Sequence, residues 1–170
     1  MIMRKSYLFY LLLLMGIFHM NTYAQSNPVT ATVTIGPLPT VLDLQITANT
    51  ATSVNFNTPT ALDNGITLLN ATILTYSSNE AYFITINSST ANFSGGSSPA
   101  MPASVVQYRL NGGSTYTALS STAVSLKGAQ GSEVIRGTGT YGIDFFINPG
   151  YTYPPASDYS ITIDYTISNL

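Results

Sequence analysis

Side chains able to carry acid–base, nucleophilic or metal chemistry are scarce in this chain. It has seven carboxylates (Asp43, Asp63, Glu80, Glu133, Asp144, Asp158 and Asp164), five cations, a single histidine, His19, and no cysteine. A serine or cysteine nucleophile paired with an imidazole is excluded, because His19 lies in a segment read below as removed on export. Zinc and copper lose their usual ligands on the same ground. Paired carboxylates would suffice for glycoside hydrolysis, but Asp144 and Asp164 each fall on the polar parity of an alternating run, where a carboxylate is expected to be solvated. No Asp-x-Asp run clusters oxygens for calcium, which leaves only a site assembled from loops distant in sequence. The expectation is a protein without catalytic residues, cofactor or resident metal.

Two local patterns invite a functional reading. Gly137-Thr138-Gly139-Thr140-Tyr141-Gly142 matches G-x-G-x-x-G. A dinucleotide fingerprint needs that loop to open a helix, whereas here it runs into the strand-like Ile143-Asp144-Phe145-Phe146-Ile147, so a flexible inter-strand loop is expected. The second pattern is aromatic: Tyr141, Phe145, Phe146, Tyr151 and Tyr153 crowd into thirteen residues. Tyr151 and Tyr153 are candidates for stacking on sugar rings, with an apolar face and a polar tip. Packing into the edge of a β-fold is the more economical reading of the cluster. Three N-glycosylation patterns, at Asn70, Asn87 and Asn92, are what chance yields in a chain this rich in Ser, Thr and Asn.

The elements that position these groups read as strands throughout. Tyr159, Ile161, Ile163, Tyr165 and Ile167 alternate with Ser160, Thr162, Asp164, Thr166 and Ser168, the period of a strand with one buried face. The same rule recurs at Val29–Ile35, Leu42–Ile46, Tyr82–Ile86 and Ile143–Ile147, and period 3.6 does not recur. Turn chemistry separates the runs at Asp63-Asn64-Gly65, Asn111-Gly112-Gly113 and Asn148-Pro149-Gly150. The second of these joins Val105–Leu110 to Ser114–Leu119 as a hairpin. Phe93–Pro102 reads as a loop. Many short strands with frequent turns predict an all-β fold, an antiparallel immunoglobulin-like β-sandwich, with a closed barrel as the alternative.

Arg4 and Lys5 precede Tyr7–Phe18, twelve residues without charge, and a polar segment ending at Ala24. That is the layout of a secretory signal, too short to span a bilayer. The expectation is an exported protein, secreted or at the cell surface, with a signal over residues 1–24, one domain over 25–170 and no membrane span in the mature chain. Beyond residue 24, three cations (Arg109, Lys127 and Arg136) face seven acids, too few to track a phosphate backbone, so nucleic acid is excluded as a partner. Charged residues make up 7% of the chain, against about 25% in average proteins. Weak self-repulsion favours association.

The run Pro154–Ser168 resembles the last strand of spore-coat-U-like and related fimbrial subunits. Val29-Thr30-Ala31-Thr32-Val33-Thr34-Ile35 is similar to their N-terminal strand, and Leu74–Arg109 to their strand–loop–strand layout. The resemblance implies a non-enzymatic structural or adhesive subunit whose extended N-terminal segment completes a neighbour's sheet. Val29, Ala31, Val33 and Ile35 would then be the donor side chains, and Tyr159, Ile161, Ile163, Tyr165 and Ile167 a core strand. Many such subunits carry a disulfide, and this chain has no cysteine. Partners expected on this reading are further copies or related subunits. The alternative is a secreted carbohydrate-binding module that holds a glycan at Tyr151 and Tyr153.

Overall fold

A computed structural model of the protein describes residues 32–51, 53–96 and 98–169. The expected signal segment, with Val29 and Ala31, lies outside them. The chain divides into two units, Met1–Pro37 and Leu38–Leu170. In the first, residues 32–37 carry neither helix nor strand. Among the described residues the regular elements belong to the second: β1 (Leu42–Asn49), α1 (Pro59–Asn64), β2 (Ile66–Ser78), β3 (Phe83–Ser88), a 3-10 turn (Ala103–Val105), β4 (Val106–Leu110), β5 (Thr117–Ala118), β6 (Val124–Lys127), β7 (Gly137–Ile147) and β8 (Ile163–Ser168).

The strands form two separate sheets, a five-stranded one in the order β1-β2-β7-β4-β5 and a three-stranded one in the order β6-β3-β8. Every strand pair is antiparallel. The protein is therefore an all-β sandwich and not a closed barrel. Its core lies between the sheets, where Leu74 (β2), Ile84 and Ile86 (β3), Tyr108 (β4), and Ile143 and Phe145 (β7) are buried. The predicted hairpin forms, with Gln107 opposite Ala118 and Tyr108 opposite Thr117.

The run Gly137–Gly142 departs from expectation. It is the first half of β7, paired with β2 from Ser78↔Gly137 to Ile73↔Gly142. A Cβ on Gly139 would lie 2.9 Å from the Tyr76 hydroxyl oxygen, and one on Gly142 would collide with the Asn70 side chain. These glycines admit bulky neighbours on the adjacent strand, the use of glycine expected inside a sheet. A second departure is α1, too short to show a helical period. Its ends carry ordinary signals nonetheless. The Thr58 hydroxyl accepts from the Ala61 N–H at 3.2 Å, Pro59 opens the helix, and Gly65 at φ 71° closes it.

The C-terminal alternation holds through Ile167, with residues 159–167 half-buried at odd positions and exposed at even ones, and breaks at Ser168, which is half-buried. The strand itself starts only at Ile163, because β3 ends at Ser88, the partner of Ile163. Ser160 instead makes an isolated bridge to Ser94.

Candidate functional site

β1 closes one side of the five-stranded sheet and β8, which it contacts, closes the same flank of the three-stranded one; among the described residues each has a partner on one edge only. Leu44 and Ile46 of β1 stand opposite Tyr76 and Leu74 of β2, so they share the inward face. Leu74 is fully buried, yet Ile46 beside it is 53% exposed. An inward-facing isoleucine is left bare because the smaller sheet stops at β8 and does not reach over it. Between the two edges runs a cleft of about 700 Å³ lined by Leu44, Ile46 and Leu74 on one wall and Ile163, Tyr165 and Thr166 on the other, with Gln45, Asn87 and Asp164 at its rim.

The cleft's electrostatics are simple. No cation lines it, and its one carboxylate, Asp164, accepts from the Ser89 hydroxyl at 2.8 Å. Tyr165 lines the cleft, but its hydroxyl is turned away from solvent beside the Thr72 side chain, without a hydrogen bond of good geometry among the described residues. Burial pushes the Tyr165 pKa up to about 12. Two strand edges unpaired among the described residues, a half-exposed Ile46 and a lining that is largely polar suit an uncharged extended segment better than a reactive small molecule. Among the described residues, no three His, Cys, Asp or Glu side chains gather as a metal site would need.

The residues singled out from sequence are distributed unevenly about this cleft. Ile163 and Tyr165 line it, and Ile167 stands opposite Ile84 on β3. Ile161 is half-buried against the core. Tyr159 sits further off, its hydroxyl donating to the Pro154 carbonyl at 2.9 Å and its ring edge-on to Phe93. Val33 and Ile35 lie outside any strand and are 83% and 77% exposed. Tyr151 is exposed, with its hydroxyl 3.4 Å from the Pro59 carbonyl oxygen, and Tyr153 is half-buried. No protein-family model and no curated protein matches the chain.

Asp144 overturns its expectation. Its parity is polar, as read, but the outer face of β7 is covered there and the side chain is fully buried. β2 bulges between Leu68 and Thr72, and the bulge places Asn70, at φ 49°, over the carboxylate. Asp144 accepts from the Asn70 N–H at 2.9 Å, from Asn111 Nδ2 at 2.9 Å and from Arg109 Nε at 3.0 Å. Burial alone raises its pKa; the bonds from Asn111, Asn70 and Arg109 outweigh it and hold the carboxyl below its ordinary value. Arg109 in turn lies 4.4 Å above the Tyr116 ring. Every partner comes from the same sheet or the turn that follows β4, and the role of the cluster is structural. Asp164 does remain on an exposed position, as parity predicts.

Proposed function

We propose that this protein is an exported, non-enzymatic surface subunit, an immunoglobulin-like sandwich of fimbrial type that assembles by adding a strand from one copy to the sheet of the next. The donor is the arm Val29–Ile35, and the acceptor is the cleft between β1 and β8. The observation that carries this reading is Ile46, an inward-facing isoleucine left half-exposed beside a fully buried Leu74.

Three features support the match. The seven-residue arm spans roughly 23 Å when extended, close to the length of eight-residue β1. It alternates Val29, Ala31, Val33 and Ile35 with threonines, so one face suits Leu44 and Ile46 and the other suits water or the polar part of the lining. It carries no charge, as a cleft without a cation and with a single carboxylate requires. Added to the free edge of β8, its backbone pairs by hydrogen bonds while its apolar face covers Ile46.

Deleting Gln25–Ile35 tests the reading. We expect a folded product that no longer forms filaments or oligomers by native mass spectrometry and electron microscopy. A peptide covering Asn27–Ile35 then binds it and slows its unfolding. A truncated protein that assembles like the full chain rules out the arm as donor. The glycan reading retains one supporting feature, the exposed ring of Tyr151, and its test is given below.

A further inference from the structure

A donor arm tethered a few residues from its own acceptor raises a difficulty for this reading. A short flexible tether presents its arm at an effective concentration of about millimolar. At micromolar protein, self-insertion would then exceed exchange between copies by roughly a hundredfold or more. Assembly therefore needs a restraint on the tether. The side chain of Asn79, in the turn between β2 and β3, supplies one. Its Nδ2 donates to the Pro39 carbonyl at 2.7 Å, its Oδ1 accepts from the Val41 N–H at 2.7 Å, and its backbone N–H donates to the Val41 carbonyl at 3.2 Å.

These three bonds continue the β1–β2 ladder beyond its last pair, Leu42↔Ser78, and fix Pro39–Val41 in line with β1. A return into the chain's own cleft, back past Ile46 to the free edge of β8, must then be made within Gly36, Pro37 and Leu38. Pro37 and Pro39 lock their own φ and bias the residue before each of them toward extended conformations. A Pro-x-Pro stretch behaves as a stiff extended spacer, the opposite of what a tight reversal requires. Resting on the strand-addition reading, we infer that Asn79 and the Pro37/Pro39 pair form a clamp that denies the arm its own groove and so commits it to a second copy of this chain. Asn79 is thus a positioning residue for exchange and not part of the acceptor surface.

The absence of cysteine makes the test clean. Val33→Cys and Ile46→Cys are introduced together in the full chain and joined by a flexible bismaleimide that tolerates a shift in register. Products are then sorted by denaturing gel and peptide mass spectrometry into links within one chain and links between chains. With Asn79 intact, links between chains dominate. Asn79→Ala moves the majority of links into single chains, and oligomers at micromolar concentration fall at least about tenfold. Pro37→Ala with Pro39→Ala, which leaves every Asn79 bond in place, shifts the partition the same way, so the inference does not depend on one variant folding. Asn79→Asp keeps the acceptor for Val41 N–H, loses the donor to Pro39 and falls between. If links between chains dominate equally in all variants, the clamp is wrong while strand addition stands. If Val33 links to Ile46 in no variant, strand addition fails and the clamp with it.

Discussion

The middle of β7 and the β1–β8 flank solve the same problem in opposite ways. Around Asp144, a carboxylate on the outer face of a sheet is sealed by a bulge, an arginine and an asparagine until each of its bonds is made within the chain. Along the flank, an inward-facing isoleucine stays half in water and a buried tyrosine hydroxyl stays without a partner. One region spends polar groups to close itself, and the other leaves apolar surface open. On the proposed reading, a sandwich with a finished centre and an unfinished side folds alone, and a second chain completes that side.

The largest expected effect falls on the finished region. Asp144→Ala strands Arg109 and the Asn70 N–H and costs about 3–5 kcal/mol of folding stability, read by urea denaturation. Asp144→Asn costs less, since an amide oxygen still accepts from the Asn70 N–H. Because the folded pKa of Asp144 is depressed, its charged form stabilises the fold fully above the unfolded value near 3.9. That stabilisation is lost as pH falls through the lower folded value. The native protein should therefore lose stability steeply in acid below about pH 4, and Asp144→Asn should flatten that limb of a stability–pH curve.

A second substitution breaks the comparison from the other side. Ile46→Lys places a charge on a residue already half in solvent, so monomer stability should change by no more than about 0.5 kcal/mol. Oligomers seen by native mass spectrometry should disappear, because a charge on the cleft floor cannot be covered by an apolar arm. Equal losses of stability and assembly would mean that the flank is an ordinary core edge.

Tyr165→Phe sharpens the same point. Removing a buried hydroxyl without a partner should be neutral or stabilising by about 1 kcal/mol for the unassembled chain. The raised Tyr165 pKa, about 12, means that the neutral phenol stabilises the fold fully below the unfolded value near 10. That contribution is lost as pH rises through the folded value, and Tyr165→Phe should remove this alkaline limb.

How far the sequence discloses these regions follows from what each depends on. Alternation in Tyr159–Ile167 is legible because parity is local to one strand, and the half-buried and exposed positions follow it residue by residue. Asp144 obeys parity and still defies the inference from it, because its burial depends on a bulge some seventy residues away that no local pattern announces. Gly139 and Gly142 look like a loop until Tyr76 and Asn70 are known to lie beside them. The cleft is a property of sheet order: only when β1 and β8 are both known to be edges does a bare Ile46 acquire meaning.

The smallest expected effect concerns the glycan alternative. Tyr151→Ala and Tyr153→Ala should leave assembly unchanged and alter glycan-array binding little. A clear loss of an array signal would move the ligand site to the Tyr151 loop and leave the cleft without that role.

Hydrogen exchange on the full chain, compared between a dilute monomeric sample and an assembled one, tests the open flank most directly. The account predicts new protection in three places on assembly: Val29–Ile35, β8 over Ile163–Ser168, and β1 over Leu42–Asn49, with the centre of β7 slow in both samples. Assembly that leaves β8 and β1 unchanged, or that protects the Tyr151 loop instead, contradicts it.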